Sequence, residues 1–223
     1  MPDYFTHAIT AHRIYDRLER RHKDAIKNAD LYLLGAQGGD VFFTYKLTYR
    51  GNIGRALHVM DNVQLFSNLA KKSTSYAAGF AAHYALDCTL HPVIYAFERL
   101  SRAPFSHIRF EGDIGLFVSR KYGIPRRIMP PERILRCSFS VYDSIRTAVP
   151  EVTLCGIERC LKRHFAYTRA AFLSKKSYYV FGYDYSSLSG AVEDGISFGV
   201  DCVSSLIEGN IDERLFGKSF LER

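Results

Sequence analysis

The chain has 223 residues, 47% of them hydrophobic, which is enough to bury one ordinary globular core. Its five cysteines include no CxxC pair, so neither a disulfide framework nor a thiolate zinc site is indicated. A formal net charge of +7 suits phosphate-bearing partners, whether nucleic acid, an anionic membrane surface or a small phosphoester, and does not choose among them. We interpret residues 1–223 as one domain.

The N-terminal segment lacks the pattern of a secretory signal, because acidic, basic and histidine side chains are spread through its first 18 residues. We therefore expect a cytoplasmic location of the bacterial type. The most apolar stretch, residues 76–97, would place His83, Asp87 and Pro92 in hydrocarbon, where ionisable groups are costly. This stretch is predicted to be a buried helix and not a membrane span.

Helix signals dominate the chain and strand signals are almost absent, so the sequence predicts an all-α helical bundle. Asp3 is placed to cap a first helix that runs to about Asn28. The glycine-rich segment 34–40 follows and is predicted to be a tight loop that presents Asp40 from a turn. A further helix is expected to begin near Asn52.

The central helix is predicted to begin at Ser73 or Ser75 and to end near Pro92. Its many alanines and its glycine permit close packing against neighbouring helices. Another helix is expected from Ser106. The rest of the chain is predicted to be helical in three stretches, residues 131–148, 151–174 and 187–208.

Three polar residues at steps of four, His83, Asp87 and His91, distinguish the central helix. A step of four residues rotates a side chain to within roughly 40° of a full turn, so the three point to one side of the helix. Zinc readily binds imidazole nitrogen and carboxylate oxygen. We therefore predict that these residues are metal ligands.

Five further residues are weak ligand candidates when each is taken alone. Each has an ordinary explanation, as a hydrogen-bonded histidine, a turn aspartate or a helical i,i+4 pair. Their joint occurrence with the central helix favours metal binding, and it makes residues 1–115 the metal-site half and residues 116–223 the core-completing helices. The eight predicted metal ligands are His7, Asp40, His58, His83, Asp87, His91, His107 and Glu111.

The order of these ligands resembles that of the zinc-dependent phospholipase C family, which is related to the zinc-type single-strand nucleases. The opening Met-Pro-Asp-Tyr-Phe-Thr-His and the segment Gly35-Ala-Gln-Gly-Gly-Asp40 resemble the intracellular bacterial branch of that family. The likeness covers roughly residues 1–115. It implies an all-α, single-domain bundle that holds two or three zinc ions.

The family pattern implies a different ligand set for each ion. The first set is Asp40, His58, His83 and Asp87. The second set, which leaves a position for water, is His91, His107 and Glu111. His7 would bind a third ion, which Asp87 bridges to the first.

The third ion lacks one ligand that secreted relatives supply, the amino group of a mature N-terminal tryptophan. This chain contains no tryptophan. We hypothesise that removal of the initiator methionine exposes the Pro2 amine as a substitute near His7. Intact-mass analysis of active protein that shows Met1 retained would contradict this hypothesis.

The activity that the resemblance implies is phospholipase C-like hydrolysis of a phosphodiester, in which a zinc-bound hydroxide attacks and the metal stabilises the leaving oxygen. The family assigns the position of Asp40 as a ligand and general base. Arg55 lies three residues before His58 on the same helical side, which makes it a candidate phosphate contact. An ordinary surface arginine explains Arg55 equally well.

The sequence indicates the substrate less closely than it indicates the reaction. Choline-lipid relatives carry aromatic residues at the positions of Val41 and Arg55, where these help to form a cage for quaternary ammonium. Their absence here argues against phosphatidylcholine, and we expect a phospholipid or another phosphodiester. Phe42, Phe43 and Tyr45 either form a different aromatic wall or belong to the core.

Two other functions are also compatible with the sequence. A nuclease-like phosphodiesterase would use the same metals with a basic groove, and it is favoured if four basic residues lie near the metal mouth. A non-catalytic metal-binding interaction protein would keep the ligands in a closed coordination shell. The four basic residues are Arg126, Arg127, Lys162 and Arg163.

Overall fold

The computed structural model describes residues 3–45, 51–100, 106–173 and 185–220, with only the backbone at residues 106–108, 171–173 and 185. Within these ranges every regular element is helical, which confirms the predicted all-α fold. A 3-10 helix, Gly38–Thr44, lies between the third and fourth α-helices. The α-helices are α1 Tyr4–Arg17, α2 Arg20–Ala25, α3 Ala29–Gly35, α4 Ile53–Val59, α5 Asn62–Lys72, α6 Thr74–Leu100, α7 Ser106–Tyr122, α8 Pro131–Arg136, α9 Ser138–Ile145, α10 Leu154–Leu173, α11 Tyr185–Ile207 and α12 Glu213–Phe216.

The first predicted helix is broken into shorter pieces. Asp3 caps α1 as expected, because its Oδ1 accepts a backbone N–H from the first turn at 2.8 Å. The chain then becomes extended at the buried Leu18, where ψ is 148°, and α1 ends at Arg17. Asn28 does not end a helix but caps α3, since its side chain accepts a backbone N–H at 3.0 Å. Burial of the Leu18 side chain therefore ends the helix at this point, although the apolar pattern of the sequence continues beyond it.

The central helix α6 lies in the interior and packs against α3 on one side and α11 on another. Its contact with α3 requires glycine, because a Cβ atom on Gly35 or Gly79 would overlap the backbone of the opposite helix. Ser73 caps α6, its Oγ accepting the N–H of Tyr76 at 3.2 Å, so the predicted start is confirmed. The small residues of α6 thus bring the ligand-bearing side close to neighbouring backbone.

The predicted end of the central helix at Pro92 is wrong. The helix continues to Leu100, although proline removes one backbone hydrogen bond from its interior. Pro92 is exposed, while Ile94 beyond it is fully buried. Packing of the segment beyond Pro92 therefore maintains the helix.

The remaining helices follow the predicted pattern with local differences. The stretch 131–148 forms two helices separated at Cys137, and α5 and α12 have no counterpart in the sequence prediction. The helix expected from Ser106 is α7, and the last two predicted stretches correspond to α10 and α11. Among the helices of the described ranges, none combines the length and apolar character needed to cross a bilayer.

Candidate metal centre

Five of the eight predicted ligands meet in one buried cluster, which we call the first ligand group. Helix α1 contributes one of them, the 3-10 helix and α4 one each, and α6 two. All five are at most 4% exposed. Their donor atoms form two overlapping triads, each with its atoms within 4.8 Å of one another. The triads are His7, His83 and Asp87, and Asp40, His58 and His83.

Asp87 lies between three imidazoles of the first ligand group. Its Oδ1 is 3.5 Å from His7 Nε2, and its Oδ2 is 3.2 Å from His83 Nε2 and 3.8 Å from His58 Nε2. Asp40 spans the other side, with Oδ1 3.4 Å from His58 Nε2 and Oδ2 3.9 Å from His7 Nε2. Zinc–ligand bonds of about 2.0–2.2 Å would place neighbouring donor atoms at comparable separations.

The outer nitrogen of His58 is fixed by the backbone of its own helix. Its Nδ1 lies 2.6 Å from the carbonyl oxygen of Gly54. Because a carbonyl only accepts, Nδ1 carries a proton, and Nε2 is the nitrogen that faces the carboxylates of Asp40 and Asp87. Metal-binding histidines are commonly oriented by this kind of hydrogen bond. The hydrogen bond to Gly54 therefore orients the ring of His58 with Nε2 towards the cluster.

The segment 34–40 consists of the end of α3, a turn at Ala36 and Gln37, and the start of the 3-10 helix, so the predicted turn is present but shorter than expected. Gly38 adopts a φ of 51°, and a Cβ atom there would overlap the ring of His83. A Cβ atom on Gly39 would lie 2.5 Å from Cε1 of His58. The two glycines therefore let the backbone that carries Asp40 lie directly against two ligand rings.

Burial and mutual charge set the protonation of the first ligand group. Burial, helped by the charge of His83, holds the pKa of His7 at about 3, so His7 is neutral at pH 7. Burial would also lower the pKa of His83, but the carboxylates of Asp87 and Asp40 outweigh it and raise that pKa. Burial by itself would raise the pKa values of both aspartates, but the adjacent histidines outweigh it and hold those pKa values below the usual range. The carboxylates are thus ionised at neutral pH.

The donor atoms of this group lack protein hydrogen-bond partners to an unusual extent. Both ring nitrogens of His7 and of His83, both oxygens of Asp87 and Oδ1 of Asp40 are buried without one. Leaving a buried polar atom unsatisfied costs about 1–3 kcal/mol. Ligation of a cation would satisfy the inward-directed atoms together, and mixed imidazole and carboxylate donors suit zinc. The residues therefore fit the metal.

The predicted second set is described only in part. His91 and Glu111 are each 3% exposed, whereas the side chain of His107 lies outside the described residues, as does Pro2. His91 Nδ1 lies 2.6 Å from the carbonyl oxygen of Phe220. Burial raises the pKa of Asp3 to about 7, and the charge of Glu111 adds to the increase. Glu111 therefore lies near the cap of the helix that carries His7.

The residues considered for substrate contact occupy different environments. Arg55 is exposed on α4, whereas Val41 and Phe42 are buried, at 2% and 0% exposure, in the core. The ring of Phe43 lies 5.3 Å from that of His58. The hydroxyl of Tyr45 accepts the backbone N–H of Thr153 at 2.9 Å, which turns it towards the start of α10. Phe43 is thus the member of the aromatic segment that contacts a ligand.

Sequence reasoning gave no role to two residues of the later chain that bear on this centre. His164 lies on α10, which packs against the 3-10 helix, and its Nε2 is buried without a hydrogen-bond partner. Burial lowers its pKa to about 4, and the charges of Asp40 and His83 act on that value. Phe220 contacts His91 as described above. No local motif marks either residue, because each meets the centre only through folding.

An all-helical frame around a buried set of imidazole and carboxylate donors defines a metalloprotein of the zinc type. Residues 6–152, which include all eight predicted ligands, match the profile of the family described as zinc dependent phospholipase C, and the chain belongs to that family. It is a zinc-dependent phosphodiester hydrolase whose substrate class is phospholipid. This assignment disfavours the non-catalytic alternative. No curated protein and no solved structure matches the chain significantly.

Proposed function

We propose that two or three zinc ions occupy this centre and serve phospholipase C-like cleavage of a phosphodiester. One observation carries the proposal: two donor triads overlap at His83, and most of their buried donor atoms have no protein partner. The five side chains of the first ligand group exceed the four ligands of one tetrahedral zinc ion, so they suit more than one ion. A single imidazole nitrogen binds one ion, so a bridge between neighbouring ions must be a carboxylate. Asp87, which approaches three imidazoles, is the natural bridge between them.

The distribution of ligands in this proposal follows the family pattern. His7 holds the ion that Asp87 bridges to the first, and the close approach of His7 to Asp87 supports this. The first ion takes Asp40, His58, His83 and Asp87. The second ion takes His91, His107 and Glu111.

In this proposal the side chains of the protein bind the metal, orient the substrate and exclude bulk water. When bound, zinc would polarise phosphoryl oxygens and lower the pKa of a coordinated water. Asp40 is ionised at neutral pH, so its carboxylate is available to accept a proton from the attacking water. Because the donors are almost completely buried, bulk water screens their charges little. We infer that Arg55, exposed on the helix that carries His58, binds a phosphoryl oxygen of the substrate.

The residues near the centre favour a head group other than choline. Val41 is buried in the core, and Arg55 replaces an aromatic residue with a cation, so neither supplies a face for quaternary ammonium. An exposed guanidinium suits a phosphodiester that carries additional negative charge. The net charge of +7 suits peripheral contact with an anionic membrane, and we propose that the enzyme meets it from the cytoplasm.

A nuclease-like activity is the second candidate, and two arginines favour it. Arg163 Nη1 donates to the carbonyl oxygen of Thr44 at 2.9 Å, at the end of the 3-10 helix that carries Asp40. The guanidinium of Arg126 lies 5.2 Å from the ring centre of Phe5, two residues before His7. Two of the four predicted basic residues thus lie beside ligand-bearing elements.

The test combines metal content with substrate choice. Elemental mass spectrometry of zinc-loaded protein should give two or three ions per chain, and a chelator should abolish cleavage of phosphatidylglycerol and phosphatidylethanolamine vesicles. Phosphatidylcholine vesicles and a single-stranded oligonucleotide are assayed in parallel. Absence of stoichiometric zinc, or cleavage indifferent to the chelator, would contradict the proposal, and cleavage of the oligonucleotide alone would favour the nuclease.

A matched pair of variants tests whether the activity depends on this centre. His7→Gln removes a buried ligand from α1, whereas His12→Gln removes an exposed histidine from the same helix. Only His7→Gln should lower the zinc content and the cleavage rate. Equal effects of the two substitutions would argue against the assigned ligand set.

A further inference from the structure

We propose that residues 213–220, the tail segment, form a working part of the metal centre, because they fix the orientation of His91 and close the wall behind His58 and His83. The proposal rests on the proposed function in taking His91 as a ligand. The tail segment lies outside residues 6–152, which match the family profile. Its contribution therefore does not come from the matched region.

The tail segment follows one side of α6 residue by residue. The hydroxyl of Tyr84 lies 3.2 and 3.1 Å from the carbonyl oxygens of Leu215 and Lys218, which share its single proton, and it accepts the N–H of Lys218 at 3.0 Å. Sγ of Cys88, one turn later, lies 3.5 Å from the carbonyl oxygen of Ser219. A further turn along, Nδ1 of His91 lies 2.6 Å from the carbonyl oxygen of Phe220. Successive turns of α6 thus bind successive residues of the tail.

Phe220 closes the wall of the first ligand group with its ring. It is fully buried, and its ring centre lies 5.0 Å from that of His58 and 6.1 Å from that of His83. The ring also packs edge-on against Tyr84 at 4.9 Å. Because packing of this kind limits rotation of the imidazoles, the ring holds two ligands while the carbonyl holds a third.

The carbonyl of Phe220 determines the tautomer of His91. A carbonyl oxygen only accepts, so the 2.6 Å contact places the proton on Nδ1 and leaves the Nε2 lone pair for a metal. His58 obtains the same tautomer from its own helix, through Gly54. His91 depends instead on a residue 129 positions later in the chain.

Further contacts hold the tail segment in this position. The side chain of Asp212 caps α12 by accepting two backbone N–H groups. Phe216 is 1% exposed and packs against Phe66, with ring centres 4.7 Å apart. Asn62 Nδ2 donates to the carbonyl oxygen of Lys218 at 2.7 Å. The segment is therefore anchored before it reaches His91.

Two truncations test the proposal. A chain that ends at Ser219 lacks the ring and carbonyl of Phe220, and a chain that ends at Phe220 retains a ring and an accepting terminal carboxylate. The chain that ends at Phe220 should match the full chain in zinc content. The chain that ends at Ser219 should hold about one zinc fewer or bind it roughly 10–100-fold more weakly, the usual loss for an outer-shell partner. Equal zinc binding by both truncated chains would overturn the proposal.

A milder variant covers the case in which the shorter chain does not fold. Tyr84→Phe removes the hydroxyl that joins α6 to Leu215 and Lys218 but keeps the buried ring. It should release zinc to a chelator several-fold faster than the full chain while keeping its helical circular dichroism. An unchanged release rate in a folded Tyr84→Phe variant would count against the tail segment.

The tautomer of His91 separates failure of this proposal from failure of the proposed function. Nitrogen-15 NMR of metal-free protein should show Nδ1 of His91 protonated in the full chain and in the chain that ends at Phe220. A chain that ends at Ser219, or Tyr84→Phe if that chain is unfolded, should populate both tautomers. If the tautomer of His91 depends on the tail segment but the protein binds no zinc, the proposed function alone is contradicted. If the protein binds zinc but the tautomer does not depend on the tail segment, this inference alone is contradicted.

Discussion

The first ligand group and the surroundings of His91 are built in different ways. The first ligand group draws on four elements of the N-terminal part of the chain, and most of its buried donor atoms have no protein hydrogen-bond partner. His91 lies one turn beyond Asp87 on the same helix, yet its Nδ1 is bound to the backbone of the tail segment. One side of α6 therefore carries two kinds of polar residue. Those of the first ligand group have buried donor atoms that a cation would satisfy, whereas His91 is oriented by a peptide group far away in the chain.

The largest effect is expected at Asp87, because it approaches three imidazoles of the first group. Asp87→Ala should lower zinc content and reduce the cleavage rate by more than the roughly 10–100-fold typical of an outer-shell change. Asp201→Asn, at an exposed carboxylate of α11, is the matched control and should leave both quantities unchanged. Elemental mass spectrometry and initial rates measure the two outcomes. Full activity of Asp87→Ala would contradict the proposed role of Asp87 as a bridging ligand.

A substitution at Gly38 should damage the first group while sparing the tail segment. Gly38→Ala introduces a Cβ at a φ of 51° and against the ring of His83, so we expect a loss of about 1–3 kcal/mol in the free energy of unfolding together with weaker zinc binding. Gly190→Ala is the control, because a Cβ there has open space around it in α11. Urea unfolding and zinc titration report the result. Equal stability of the two variants would mean that the close approach is unnecessary.

Acid should destabilise the metal-free protein through its neutral histidines. The pKa of His7 is lowered to about 3 and that of His164 to about 4, so the unfolded chain binds protons near pH 6.5 that the folded chain does not. Stability present above pH 6.5 is therefore lost as the pH falls towards 4, by about 1.4 kcal/mol per pH unit for each histidine. Urea unfolding at several pH values should show a shallower slope for His164→Gln. An unchanged slope would contradict burial of a neutral His164.

The smallest effect is expected at Arg55, outside both regions. Arg55→Ala should raise KM for an anionic phospholipid by roughly 10-fold, the value of one charged hydrogen bond, without changing zinc content or stability. Arg136→Ala, at an exposed arginine of α8, is the control for net charge. Steady-state kinetics on vesicles distinguish the two. An equal change in both variants would make Arg55 an ordinary surface residue.

The sequence was informative where chemistry depends on short spacing. The four-residue steps of α6, the cap at Asp3 and the glycines before Asp40 all act within one or two helical turns, so they predict an all-α chain and a set of grouped donors. Local pattern did not predict the break at Leu18 or continuation through Pro92, because burial of side chains decides both. His164 and Phe220 were missed for a related reason, since their contacts with the centre join residues far apart in the chain.

The position of Phe220 in the chain orders the assembly of the centre in time. During synthesis the four elements of the first ligand group, which end with α6, leave the ribosome first, and the carbonyl that orients His91 follows 129 residues after that histidine. Contacts of such separation also form slowly, because a long loop must close first. In a nascent chain the five residues of the first ligand group are therefore synthesised and able to fold together well before the peptide group that orients His91 exists.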